Sequence, residues 1–149
     1  MLIGFLFFTF FVAAILANWE IQIEGKDGWA AKLPCWRIKE GLIVKIMGGR
    51  PLTGYHLFMV LFLAAIIHLP FFFSPWSWRG ECLAVGFLLA MVTLEDFLWF
   101  AFNPAYGIKS FRKGMIPWHK KWIGPVPDFF IYCGIGAGLL MWLGYPVLV

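Results

Sequence analysis

Charge is what this chain has least of. Only 13% of its 149 residues are Asp, Glu, Lys or Arg, against about 25% in an ordinary soluble domain. Hydrophobic residues make up 62% and aromatic ones 20%, more than one water-soluble fold of this length buries. A soluble globular enzyme and a disordered chain are excluded together. Cysteine is scarce as well. Cys35, Cys82 and Cys133 form no CxxC and no regular spacing, which leaves out a disulfide-stapled module, a zinc ribbon and a redox pair. Missing too are a GxSxG elbow, a phosphate-binding Walker loop, a dinucleotide fingerprint and any internal repeat.

What is present is apolar and clustered. Four stretches, at about 1–17, 55–73, 80–102 and 128–149, approach the ~20 residues a helix needs to cross the hydrocarbon core. They predict one domain, an all-α integral membrane protein built as a four-helix transmembrane bundle. The first stretch has no basic n-region and no small-x-small cleavage pattern before Asn18-Trp19, so it is read as a retained helix rather than a signal peptide.

Charge placement sets the expected orientation. The loop 18–54 holds Lys26, Lys32, Arg37, Lys39, Lys45 and Arg50, and the loop 103–127 holds Lys109, Arg112, Lys113, Lys120 and Lys121. Arg79 alone lies elsewhere. By the positive-inside rule both long loops are cytoplasmic and both termini lie on the other side, in what is taken as a bacterial cytoplasmic membrane. That topology separates Cys35 from Cys82. The net charge of +4 then reflects orientation and anionic lipid headgroups, not nucleic acid.

The first loop is too long for a connector. Glu20-Ile21-Gln22-Ile23-Glu24 alternates polar and apolar residues, and Gly25-Lys26-Asp27-Gly28 follows with turn chemistry. The pattern predicts a small cytoplasmic cap, with a β-hairpin returning through Trp29-Ala30-Ala31 and a second β-run over 42–46. A short amphipathic helix over 35–47 is the alternative. The second loop, rich in Pro, Gly and Trp, suits a fixed non-helical path at the headgroup layer. In the last stretch Gly134 and Gly138, four apart, let a neighbouring backbone come close, either inside the bundle or at a homodimer seam.

Glu95 and Asp96 are the most informative positions. They sit six and seven residues before the end of the third stretch, about 9–10 Å below the interface at ~1.5 Å per residue. An ionised Asp at mid-helix costs roughly 2.5–3.5 kcal/mol on insertion scales. Thr93, Asp96 and Asn103 form a polar stripe, with Glu95 rotated toward the line of Trp99. A structural anchor to a loop cation is one reading of the pair; a functional site is the other.

His56, opening the second stretch, and His119, in the second loop, fall at the same membrane face. With Glu95 and Asp96 they match, in residue type, a two-His-plus-carboxylate metal set for a divalent transition metal. His68 lies about 18 Å further along its helix and is read as structural, beside the carbonyl of Ile66 freed by Pro70. Glu20 and Glu24, near the cytoplasmic face, are read as a solvated hairpin face, with a place in the site as the alternative. The expected function is a membrane-embedded enzyme acting on a lipid or other hydrophobic substrate at the cytoplasmic interface. Glu95, Asp96 and His119 would be catalytic, and His56, Glu95, Asp96 and His119 would be metal ligands. Lys109, Arg112, Lys113, Lys120 and Lys121 would attract an anionic headgroup. An accessory or assembly protein, or a small proton-coupled transporter or channel subunit, are the alternatives.

Overall fold

A computed structural model describes residues 2–145. The chain is mostly helical. Helix α1 runs Leu2–Glu24, α2 Leu42–Ile46, α3 Gly54–His68, α4 Trp78–Phe102 and α5 Asp128–Gly144. A 3₁₀ turn over Leu69–Phe72 continues α3. Three of these units, Leu2–Glu24, Gly54–Phe72 and Trp78–Phe102, are long and apolar enough to cross a membrane, and α5 is a shorter apolar helix. The end of the fourth predicted stretch, 146–149, lies outside the described residues. Bulky side chains such as Phe7, Phe8, Phe58, Phe62 and Trp142 are exposed on the outside of the helices, the inverse of a water-soluble surface and the arrangement a lipid environment calls for.

α4 is the central element. It packs along its length on α5 and α1, and only lightly on α3. The face α1 gives to it is Thr9, Ala13, Leu16, Ala17, Glu20, Ile21 and Glu24, all buried, at the three- and four-residue spacing of one helix face. Close approach of α4 to α5 is secured by Gly86, where an added Cβ would stand 3.1 Å from the Met141 backbone nitrogen, and by Gly144, where it would meet Leu83 at 2.5 Å. Gly134 and Gly138 have nothing within 4 Å of a built Cβ. Packing inside the bundle therefore does not use that pair: it uses Gly86 and Gly144.

The hairpin predicted over Glu20–Ala31 is not formed. α1 continues through Glu24, because the alternation of Glu20, Ile21, Gln22, Ile23 and Glu24 also puts Glu20 and Glu24 one turn apart on the buried face. The run 42–46 is the helix α2 and not a strand. What β-structure there is consists of two-residue ribbons. β1 (Arg37–Ile38) pairs antiparallel with β2 (Leu52–Thr53), and β3 (Trp122–Ile123) with β4 (Val126–Pro127). These ribbons deliver the chain to the starts of α3 and α5.

The two long loops pack together at one end of the bundle. Asn103 at the end of α4 donates to the Gly25 carbonyl at 2.7 Å, and the Tyr106 hydroxyl donates to that of Lys26 at 2.8 Å. The Trp118 ring lies where a Cβ on Gly28 would stand. An aromatic cluster of Trp99, Phe100, Tyr106, Phe111 and Trp118, with ring centroids 5.1–6.3 Å apart, buries the second loop against α4. Trp118 and Ile116 belong to the core itself.

Candidate functional site

Beneath the paired loops lies a cavity of about 690 Å³, within the size range of small-molecule sites. It is lined by the polar Glu20, Glu24, His56, Glu95, Asp96 and His119, and by apolar residues including Met59, Val60, Leu89 and Val92. Lys45, Lys120 and Lys121 also line it and are exposed, so they form its rim. Val60 on α3 and Tyr132 on α5 both line the cavity and are exposed on the outer surface. The cavity thus opens sideways between those two helices.

The acidic and imidazole groups arrive from three helices and a loop. Glu20 and Glu24 come from the buried face of α1. Glu24 Oε1 accepts the Ala30 backbone N–H at 2.5 Å, which holds a turn where Trp29 and Ala30 adopt positive φ of 49° and 51°, a conformation disfavoured for residues with a Cβ. His56 is the third residue of α3. Thr53 caps that helix by accepting the His56 N–H at 3.2 Å, and its hydroxyl is 2.6 Å from His56 Nδ1. The opposite nitrogen, Nε2, lies 3.6 Å from Glu24 Oε1, and the Trp29 ring stacks on the imidazole at 4.2 Å. Fixing one ring nitrogen through a hydroxyl leaves the orientation of the other defined.

Glu95 and Asp96 come from α4, and His119 comes from the second loop, buried among Phe100, Trp122 and Phe130. His119 Nε2 is 2.8 Å from Asp96 Oδ2. The separation is that of an ion pair, yet the two atoms are not aligned as a hydrogen bond, and both are without such a partner. Glu20 Oε1 and Glu95 Oε1 are buried without a partner as well, although the two carboxyl groups face each other at hydrogen-bonding range. Leaving one buried polar atom unsatisfied costs about 1–3 kcal/mol. Four such atoms are gathered around one cavity.

A buried cation, Arg50 in the first loop, also lines the cavity. Its guanidinium is held between the Trp29 ring at 4.6 Å and the Phe129 ring at 4.4 Å. Burial lowers its pKa from the usual range, opposed by Asp96, Cys133 and Asp128; guanidinium remains charged under such conditions.

The structure brings together all four residues singled out in the sequence, Glu95, Asp96, His56 and His119. Of the predicted headgroup lysines and arginines, Lys120 and Lys121 line the cavity, while Lys109, Arg112 and Lys113 are exposed and not among its lining residues. Glu20 and Glu24 are corrected from a solvated face to buried members of the site. Their signal was present in the run Thr9, Ala13, Ala17, Glu20 and Glu24, a line of small and polar residues on a helix otherwise covered in Phe, Leu and Ile. Asn103 and Thr93, on the predicted stripe, serve structure: Asn103 ties the loops, and Thr93 donates to the Leu89 carbonyl at 2.6 Å. His68 is also structural, but its partners are the Ala64 carbonyl at 2.6 Å and Glu81 at 2.8 Å rather than Ile66. The three cysteines are free.

No family model, curated protein or solved structure matches the chain. Function therefore has to be read from the site.

Proposed function

We propose that this chain spans the membrane four times with its two basic loops in the cytoplasm, and acts there as a membrane-embedded enzyme on a lipid or other hydrophobic substrate. The working centre is the carboxylate–histidine cluster, holding a divalent transition metal, with Asp96, Glu95 and His119 at the reacting end. One observation carries this reading. Carboxylates and imidazoles from three helices and a loop converge, with unpartnered atoms, on a cavity that is otherwise largely apolar and open between α3 and α5.

The chemistry follows from the lining. The apolar lining takes up hydrocarbon, exposed lysines at the rim attract an anionic headgroup, and the acids are where a polar bond of the substrate would stop. A bound metal would polarise such a bond or lower the pKa of a water beside it. The carboxylates that hold the metal, or those left free, would take up and return the proton.

Elemental analysis together with lipid mass spectrometry on the purified protein tests the proposal. A stoichiometric transition metal and a retained lipid are expected, with the metal content clearly lowered in Asp96→Asn and His119→Ala proteins that keep the wild-type melting profile. Folded variants with unchanged metal content, or a wild-type protein with neither metal nor lipid, would sink it. A second reading is favoured by the contact between Glu24 and the Ala30 N–H. Under it the chain is an accessory or assembly protein whose acids only anchor loops, and neutralising them lowers stability and changes nothing else.

A further inference from the structure

The six donors do not form a single coordination sphere. Ligand atoms from Glu20, Glu24 and His56 lie within 4.8 Å of one another. Atoms bonded to one ion at about 2.0–2.2 Å are never more than about 4.4 Å apart, so that group needs only slight closure to share an ion. Asp96 and His119 fall outside the group. They make a set of their own, with Oδ2 and Nε2 2.8 Å apart and not hydrogen-bonded. Two donors bonded at about 2.1 Å and set near a right angle stand about 3 Å from each other. That is the separation found here. It also explains why a histidine nitrogen and a carboxylate oxygen lie so close without an aligned proton between them.

Glu95 stands between the sets. It is adjacent to Asp96 in α4, and its carboxyl group faces that of Glu20. One oxygen of each is buried and without a donor. We propose that the cavity holds a dinuclear metal centre, with one ion on Glu20, Glu24 and His56, a second on Asp96 and His119, and Glu95 bridging them. The assignment rests on the reading of the cavity as a metal site and adds its nuclearity and ligand distribution.

Charge permits two ions as readily as one. Glu20, Glu24 and Glu95 are buried, Asp96 is 18% exposed, and Arg50 is a buried guanidinium on the same cavity. With all four carboxylates ionised, one divalent ion leaves the cluster at −1 and two leave it at +1, either far cheaper to bury than the uncompensated acids. Four carboxylates and two imidazoles are also the donor inventory with which helical bundles hold iron or manganese pairs, although here the acids come in twos from α1 and α4. Oxygen and imidazole donors without thiolate select first-row ions of that kind over copper(I). Each proposed ion has one histidine, and coordination positions not filled by protein would be left for substrate in the cavity.

The full chain, purified in detergent and stripped with a chelator, is titrated anaerobically with Fe(II) and separately with Mn(II). Bound metal is counted by mass spectrometry and the manganese form is examined by electron paramagnetic resonance. Two ions per chain and an exchange-coupled manganese spectrum are expected. His119→Ala and Asp96→Asn should each bind one ion and lose the coupling, as should Glu20→Gln and His56→Ala, which empty the other position. Glu95→Gln should weaken the coupling more than the stoichiometry. One ion per chain, abolished alike by variants from both sets, would overturn the dinuclear assignment and leave the metalloenzyme reading standing. No bound metal would end both. Two ions that every variant retains would mean surface binding and would also end it. If a variant fails to fold, the wild-type count and the manganese coupling still decide.

Discussion

Thr53 shows how much one side chain can settle. Its hydroxyl accepts the His56 N–H at the start of α3 and stands 2.6 Å from His56 Nδ1. The same oxygen therefore starts a helix and aims an imidazole. Thr53→Val keeps the volume and removes both functions. Loss of the cap should cost about 1 kcal/mol of stability, and loss of the ring's outer partner should weaken metal binding by about 10–100-fold. Thr53→Ser should restore both. The test is a thermal melt beside a metal titration: a lowered melt with unchanged affinity would remove His56 from the ligand set. Arg50 is similarly specific, since its flat guanidinium is clasped between Trp29 and Phe129, a contact an ammonium group does not reproduce.

The loop pairing depends on Gly28. It has a φ of 57°, and a Cβ there would fall 2.3 Å from the Trp118 ring. Gly28→Ala adds strain of about 1–3 kcal/mol to a clash that pushes Trp118 out of the core, and His119 is the next residue. A melting point lower by several degrees and a changed near-ultraviolet tryptophan signal are expected, while Gly138→Ala, in open space, should leave both as they are. Unchanged tryptophan signal in the Gly28 variant would show that the loops do not dock through this contact. Elements of this kind divide in how far the sequence reveals them. The apolar helices were legible from length and hydropathy, because lipid demands a continuous stretch and tolerates few charges. Asp96 and Glu95 stood out by violating that rule. The end of α1 was not legible in the same way. Glu20 to Glu24 satisfy the two-residue period of a strand and the four-residue period of a helix equally, and only the packing of α1 on α4 decides between them. The partnership of Asp96 with His119 was legible by membrane side alone, since no local pattern specifies a contact made through a loop fold.

Across the whole molecule, polarity is arranged along one axis. Both basic loops, the six donors and the aromatic cluster occupy one end, and the flanks are apolar. A water-soluble substrate would have to pass the loop-side rim, where Lys45, Lys120 and Lys121 line the cavity and are exposed. A hydrocarbon-bearing one has the gap between α3 and α5, where Val60 and Tyr132 line the cavity and are exposed. Val60 is six residues into α3, about 9 Å along the helix at ~1.5 Å per residue, the same distance from the loop end as Asp96 on α4. α3 packs only lightly on α4, so it can yield to an entering chain at less cost than α1 or α5. Val60→Trp should close the gap without touching any donor or any core contact of α4. Retained lipid measured by mass spectrometry should then fall severalfold, with metal content and melting temperature kept. If lipid retention survived that substitution, entry would have to be through the loops, and the lysine rim rather than the α3–α5 gap would become the route to the site.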